Sequence, residues 1–401
     1  MLASIVLEIA RNSGSFSPQE RLPEKLLKRI RELDGLRGIA VALVVLGHYV
    51  HHPSLVYFGP QWGWIGVNLF FVLSGFLITT ILLRTAKDHA ALKTFYVRRT
   101  LRIFPLYYIV LLVYFLASAS VGTPQPWNTT AVYLFFMQAI LPPAITHLQI
   151  VPHPDWVNMG FSVLWTLSVE ELFYLLWAPL VVFTRARRRL LLRFLILVLL
   201  FTPWVRFFYP DPRGIQETFL GQMDALAAGA LLAILWKDYA EILRPWAQKH
   251  ALSLYLACLA LIGGMICIDL ATGIPIKTPI QMRVFDATAY TLLWAAWGAF
   301  LLVTLACSEL PGTLPGILRS RVLRWLGKIS YCLYLVHYPI YLFWRNYLPH
   351  SLALLVALVT SLAISALSWR LLEGPISRWK RSSFQYGGSP KPSLAELSAH
   401  K

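Results

Sequence analysis

Charged residues are scarce in this sequence. Only 14% of its 401 residues are Asp, Glu, Lys or Arg, whereas a soluble domain averages about 25%. Too little of the chain can form solvated surface for an ordinary soluble domain. Cysteine is nearly absent, limited to Cys258, Cys267, Cys307 and Cys332. All four fall inside apolar runs, where they pack as small apolar groups, and nothing points to a disulfide framework or a metal knuckle. Residues 1–33 lack the apolar core of a secretory signal, so no cleavable signal peptide is expected. Lys and Arg are missing altogether from 122–163. No inverted repeat of the kind that marks many transporters is visible.

What is present is apolar: 57% of the residues are hydrophobic, in runs of about twenty, the length that crosses a ~30 Å hydrocarbon core. The runs predict an all-α integral membrane protein, a bundle of about ten transmembrane helices. They lie near 36–52, 64–83, 103–121, 164–184, 194–209, 219–236, 251–270, 284–307, 329–348 and 351–372. The net charge of +17 alternates by loop. Arg84, Lys87 and Lys93, then Arg185, Arg187 and Arg188, then Lys237 and Arg244, then Arg319, Arg321 and Lys328 mark one side. The other side holds Arg213, Lys277, Arg283 and Arg345. Positive-inside bias puts both termini in the cytoplasm, so the basic excess is a topology signal rather than a mark of nucleic acid. The expected organisation is a cytoplasmic segment 1–33 with an interfacial amphipathic helix at 23–32, a membrane region 34–373, and a disordered cytoplasmic tail 374–401. In the Pro-rich segment 122–163, the apolar stretch 132–141 is too short to span and predicts a re-entrant or interfacial helix.

Ionisable residues inside spans are costly and are functional candidates by default. Arg37 and His48 are eleven positions apart, which brings them to one helix face with about 16.5 Å of rise between them. Asp34 and His52 fall near the same stripe. One reading is a helix-start ion pair, Asp34 with Arg37, and a hydrogen-bonded His48. The other is a polar track leading to a histidine suited to general-base work. His48, His51 and His52 have i, i+3, i+4 spacing that suits a metal, but no carboxylate follows nearby, so no metal is expected. Arg98, Arg99 and Arg102 cluster at the predicted mouth of the third span, where cations at a helix start oppose the dipole. An anionic, phosphate-bearing ligand would offset that repulsion. Glu170 and Glu171, at the predicted outer end of the fourth span, face different sides of a helix, so at most one points inward. Asp224 and His337 are weaker candidates, as apt for interhelical hydrogen bonding as for chemistry.

Taken together, the chain resembles the membrane acyltransferase-3 family over roughly 33–373. The Arg-x10-His signature is met by Arg37 and His48, and Arg-Arg-x-x-Arg-x-x-Pro by Arg98, Arg99, Arg102 and Pro105. The run from Gly66 through Asn68 and Ser74 to Phe76 is similar to the family's second-span motif. The Trp-Thr-Leu-Ser-Val-Glu-Glu block ending at Glu171, the Asp224 segment and the block around His337 recur as well. Leu172 stands where a glutamine is usual, and Gln222-Met223 where a basic residue is common. The resemblance implies an O-acyltransferase of the bacterial cytoplasmic membrane, with acyl-CoA, typically acetyl-CoA, as donor and an envelope glycan or glycolipid hydroxyl as acceptor. In that frame His48 is the base, oriented by Glu170 or Glu171, and Arg37, Arg98, Arg99 and Arg102 hold the coenzyme's phosphates. Asp34, Asn68, Ser74, Asp224 and His337 complete the polar interior. A glycolipid transporter or flippase is the alternative.

Overall fold

In lipid a backbone finds no water to pair with, so an apolar run must close its own hydrogen bonds as a helix. The computed structural model describes residues 30–49, 63–120, 122, 126–140, 161–210, 214–272, 278–310 and 315–383. Among these there is no strand, and ten helices have 19 or more residues. They are α1 Arg31–Tyr49, α2 Gly63–Thr85, α3 Ala91–Ser120, α4 Trp165–Phe183, α5 Arg188–Phe208, α6 Phe219–Lys249, α7 Ala251–Thr272, α8 Pro279–Ala306, α9 Arg321–Arg345 and α10 His350–Ser368. Among the described residues seven helices are long and apolar enough to cross a membrane, and the other three are α7 and the pair α1 and α9. Both begin with charged turns: Arg31, Glu32, Asp34 and Arg37 in α1, and Arg321, Arg324 and Lys328 in α9.

The core is built on two close helix pairs, α2 with α6 and α1 with α9. The first depends on paired glycines. A Cβ on Gly75 would overlap the Leu226 carbonyl oxygen, and one on Gly229 would overlap that of Val72. Small residues let the backbones approach where lipid gives helices no hydrophobic reason to associate. Both α2 and α6 are buried over most of their length, whereas α3, α5 and α10 show most of their surface outward.

Three elements differ from expectation. Helix α3 starts at Ala91, well before 103, because its amphipathic turns continue past the hydrocarbon run. The short helix in the Pro-rich segment is Trp127–Leu134 rather than 132–141. Pro126 precedes it, and Phe136, at a φ of 55°, breaks the chain after it. Tyr107 and Tyr108 of α3 tie it down by donating to the carbonyls of Tyr133 at 2.7 Å and Leu134 at 3.0 Å. The C-terminal tail begins later than 374. A π turn, Trp369–Glu373, continues α10 into a further helix, Gly374–Ser383. The expected interfacial helix lies, up to residue 29, outside the described residues, as do His51, His52 and 384–401.

Candidate active site

The α1–α9 crossing is closest at Gly327, where a Cβ would overlap the Asp34 carbonyl oxygen. That approach lays Ser330 against Arg37. The guanidinium Nη2 donates to Ser330 Oγ at 3.2 Å, and Ser330 Oγ donates to the Gly327 carbonyl at 3.0 Å. Farther along the same two helices His48 meets His337, with His48 Nδ1 and His337 Nε2 3.3 Å apart.

The partners of these two rings assign their tautomers. His48 Nδ1 lies 2.8 Å from the Val44 carbonyl, and His337 Nδ1 lies 3.0 and 2.8 Å from those of Leu333 and Tyr334. A carbonyl only accepts, so each neutral ring carries its hydrogen on Nδ1 and donates it. The His337 Nε2 lone pair then faces the His48 Nδ1–H, and His48 Nε2 keeps a lone pair for a proton. Tyr338 packs on the His48 ring at 4.6 Å between centroids, and Tyr49 Oη donates to the His337 carbonyl at 3.1 Å. Both histidines are buried.

The arginines gather at the other end of this pair. Because α3 begins at Ala91, Arg98, Arg99 and Arg102 sit in its third and fourth turns. The dipole argument for an anion therefore does not apply; the surroundings supply a different one. A cavity of about 480 Å³ is lined by Arg37, Arg84, Arg98, Arg102, Lys237, Lys328 and Lys380, with Asp34 and Glu373 as its two carboxylates. So many cations against a low-dielectric wall focus a field that attracts an anion. A smaller cavity of about 80 Å³ adjoins it, sharing Arg37, Leu77, Arg102 and Tyr331. It carries Ser74, Arg99, Glu170 and Tyr174 and extends to Val67, Phe70 and Tyr334. Tyr334 is one helical turn from His337 on α9.

The glutamates sit near the start of α4, as the sequence places them, but not against His48. Glu170 accepts from Ser74 Oγ at 2.6 Å and from Tyr174 Oη at 2.8 Å, and Arg99 lies 4.8 Å over the Tyr174 ring. It belongs to the arginines, because α3 carries them several turns deeper than a helix-start position. Glu171 Oε1 is buried without a hydrogen bond. No hydrogen bond joins either glutamate to His48 among the described residues; His337 takes the place they were expected to fill. Asn68 is buried, with neither amide atom hydrogen-bonded.

The order and spacing of these groups along one polar track are those of the family motifs, and the acyltransferase-domain family matches residues 30–370. The chain belongs to the membrane acyltransferase-3 family. It is 29% identical over 374 residues to the peptidoglycan O-acetyltransferase OatA of Listeria monocytogenes, a match covering 88% of this chain and 56% of that protein. It is 26% identical to the O-acetyltransferase OatA of Staphylococcus aureus, covering 90% of this chain and 60% of the relative. A putative peptidoglycan O-acetyltransferase, YrhL of Bacillus subtilis, is 26% identical over 86% of this chain and 54% of its own length. The chain thus spans little more than half the length of these relatives. No solved structure matches it.

This acyltransferase-3 chain also holds functional-looking groups that sequence reasoning passed over. Arg206 of α5 is fully buried, donating to Asp224 Oδ1 at 2.5 Å and to the Gly221 carbonyl at 2.7 Å. Asp224 is therefore an ion-pair partner, on neither cavity wall. A lone arginine in the apolar run of α5, with an aspartate in the apolar first half of α6, was the available signal. Lys237, Lys328, Glu373 and Lys380 reach the large cavity from separate helices and share no local motif.

Proposed function

We propose that the protein is a membrane O-acyltransferase that moves an acyl group, foremost acetyl, from cytoplasmic acyl-CoA to a hydroxyl of a cell-envelope glycan or related acceptor. The observation that carries this reading is the pair of adjoining cavities, cationic at one end and narrowing toward Tyr334, one turn from the His48–His337 pair. The relatives' names as O-acetyltransferases support the acyl group and the glycan class. Arg37, Arg99 and Arg102 hold phosphate, the narrow cavity takes the pantetheine arm, and the thioester is delivered toward the histidines.

In the transfer step His48 Nε2 takes the acceptor's hydroxyl proton as the oxygen forms a bond to the thioester carbonyl carbon. The C–S bond then breaks, and the coenzyme sulfur leaves with that proton as a thiol. His337 supports the charged ring, because its Nε2 lone pair accepts from His48 Nδ1–H. The bundle excludes water that would otherwise hydrolyse the thioester. A transporter would not need the cation-lined mouth, and neither the family nor the cavity favours it.

The donor half of the proposal has a direct test. Arg102→Ala is expected to weaken acetyl-CoA binding to the purified protein by about 1.5–3 kcal/mol, the usual loss of a charged hydrogen bond. Arg102→Lys should recover only part of this, since a point charge replaces a planar fork. Unchanged affinity in the alanine variant would return the arginine to a role in topology alone.

The reading also requires ten crossings with both termini in the cytoplasm of the bacterial inner membrane. A cysteine introduced for exposed Trp127 should react with an impermeant thiol reagent on intact spheroplasts, and one at His89 only after permeabilisation. The reverse pattern would invert the topology and place the arginine mouth away from cytoplasmic coenzyme.

A further inference from the structure

The cations of the donor site form two tiers. Arg37 and Arg102 stand where the two cavities meet, and Arg99 lines the smaller one alone. Arg84, Arg98, Lys237, Lys328 and Lys380 line only the larger. One of these comes from an unexpected place. Lys380 lies on the helix Gly374–Ser383, beyond the residues 30–370 matched by the family. This helix nevertheless forms part of the cavity wall through Ile376, Ser377 and Lys380. Its contact with α3 is reciprocal: Arg98 Nη1 donates to the Lys380 carbonyl at 3.4 Å, and Lys380 Nζ donates to the Arg98 carbonyl at 3.4 Å. Both side chains thereby reach one cavity wall, where an anion can bridge them.

We propose that Lys380 and Arg98 form a second phosphate subsite, one that takes the phosphate monoester on the ribose of coenzyme A. The inference rests on the acyl-CoA reading and adds to it a residue and a chemical discrimination. The order of groups along the coenzyme supports it. Ribose phosphate, pyrophosphate, pantetheine and thioester follow one another, as do the larger cavity, the shared arginines, the narrow cavity and the histidines. A monoester bears about 1.5 to 2 negative charges near neutral pH. It is the part of the coenzyme best matched by a pair of cations.

The test compares coenzyme A with its 3′-dephospho form, using full-length protein in lipid nanodiscs and calorimetric binding. The unmodified protein should prefer coenzyme A by roughly tenfold or more, the range of a charged hydrogen bond. Lys380→Gln should lose that preference by weakening coenzyme A alone, with the dephospho form bound as before. Lys380→Arg should keep it. Equal weakening of both ligands, or a preference undiminished in Lys380→Gln, would overturn the subsite. Equal affinity of the unmodified protein for both ligands would overturn it without any variant, while leaving the donor reading intact. Binding of neither ligand would instead remove the donor reading on which the inference rests.

Discussion

Replacing His48 with Gln should reduce acyl transfer by about 10²–10⁴-fold, the usual range for loss of a general base, while leaving coenzyme binding nearly unchanged. Gln keeps a hydrogen-bonding group at the position but takes no proton at neutral pH. The two effects separate because His48 lies about 16.5 Å along α1 from Arg37 and lines neither cavity. His337→Gln should lower turnover less, because His337 meets the base through its own Nε2, at His48 Nδ1, rather than touching the acceptor. Both quantities can be read on one preparation, turnover by release of free thiol and affinity by calorimetry. Near-normal turnover in His48→Gln would make His48 a structural hydrogen-bonder and move the search for the base to His337 or Glu170.

Arg206→Ala should destabilise the bundle by about 3–5 kcal/mol, because it leaves the Asp224 carboxylate buried without its partner. Arg206 and Asp224 are 1% and 0% exposed, so solvent does little to offset the loss. The double variant Arg206→Met with Asp224→Leu should recover most of the stability, since removing both charges leaves no unpaired ion. Thermal unfolding in detergent or nanodiscs measures the difference. An Arg206→Ala protein that unfolds like the parent but fails to turn over would show that the pair acts in the chemistry, not in holding α5 to α6.

The ten runs of apolar residues were legible as helices, and each is matched by a helix near its position, although among the described residues only seven of these are long and apolar enough to cross a membrane. Helix ends were not legible, since charged amphipathic turns extend α3, α6 and α9 past the hydrocarbon core. The clearest cost was at Arg98, Arg99 and Arg102. Read as a helix start, they carried an anion for a reason that the longer α3 removes; the two cavities they line with Arg37, Arg84, Lys237, Lys328 and Lys380 from other helices supply a better one. Arg37 and His48 could be placed on one face because eleven residues make nearly three turns. The partner of His48 could not, because His337 is 289 positions away and only the α1–α9 crossing brings the rings together. The same applies to Ser74 as a partner of Glu170, which packing of α2 on α4 supplies, whereas Tyr174 is one turn along α4 itself. Lys380 was assigned to a tail on composition, although the helix holding it is continued from α10 by a π turn.

The central claim is that an acyl group enters from coenzyme on the arginine side and leaves on a hydroxyl acceptor reached at the histidine end. Membrane vesicles of defined orientation, prepared with the unmodified protein and with His48→Gln, test it directly. Labelled acetyl-CoA is supplied to one face only, and base-labile acetyl ester is measured on peptidoglycan fragments presented at the other. The account predicts ester only with coenzyme at the cytoplasmic face, and only with His48 intact. Ester formed equally from either face, or in full by His48→Gln, would contradict it.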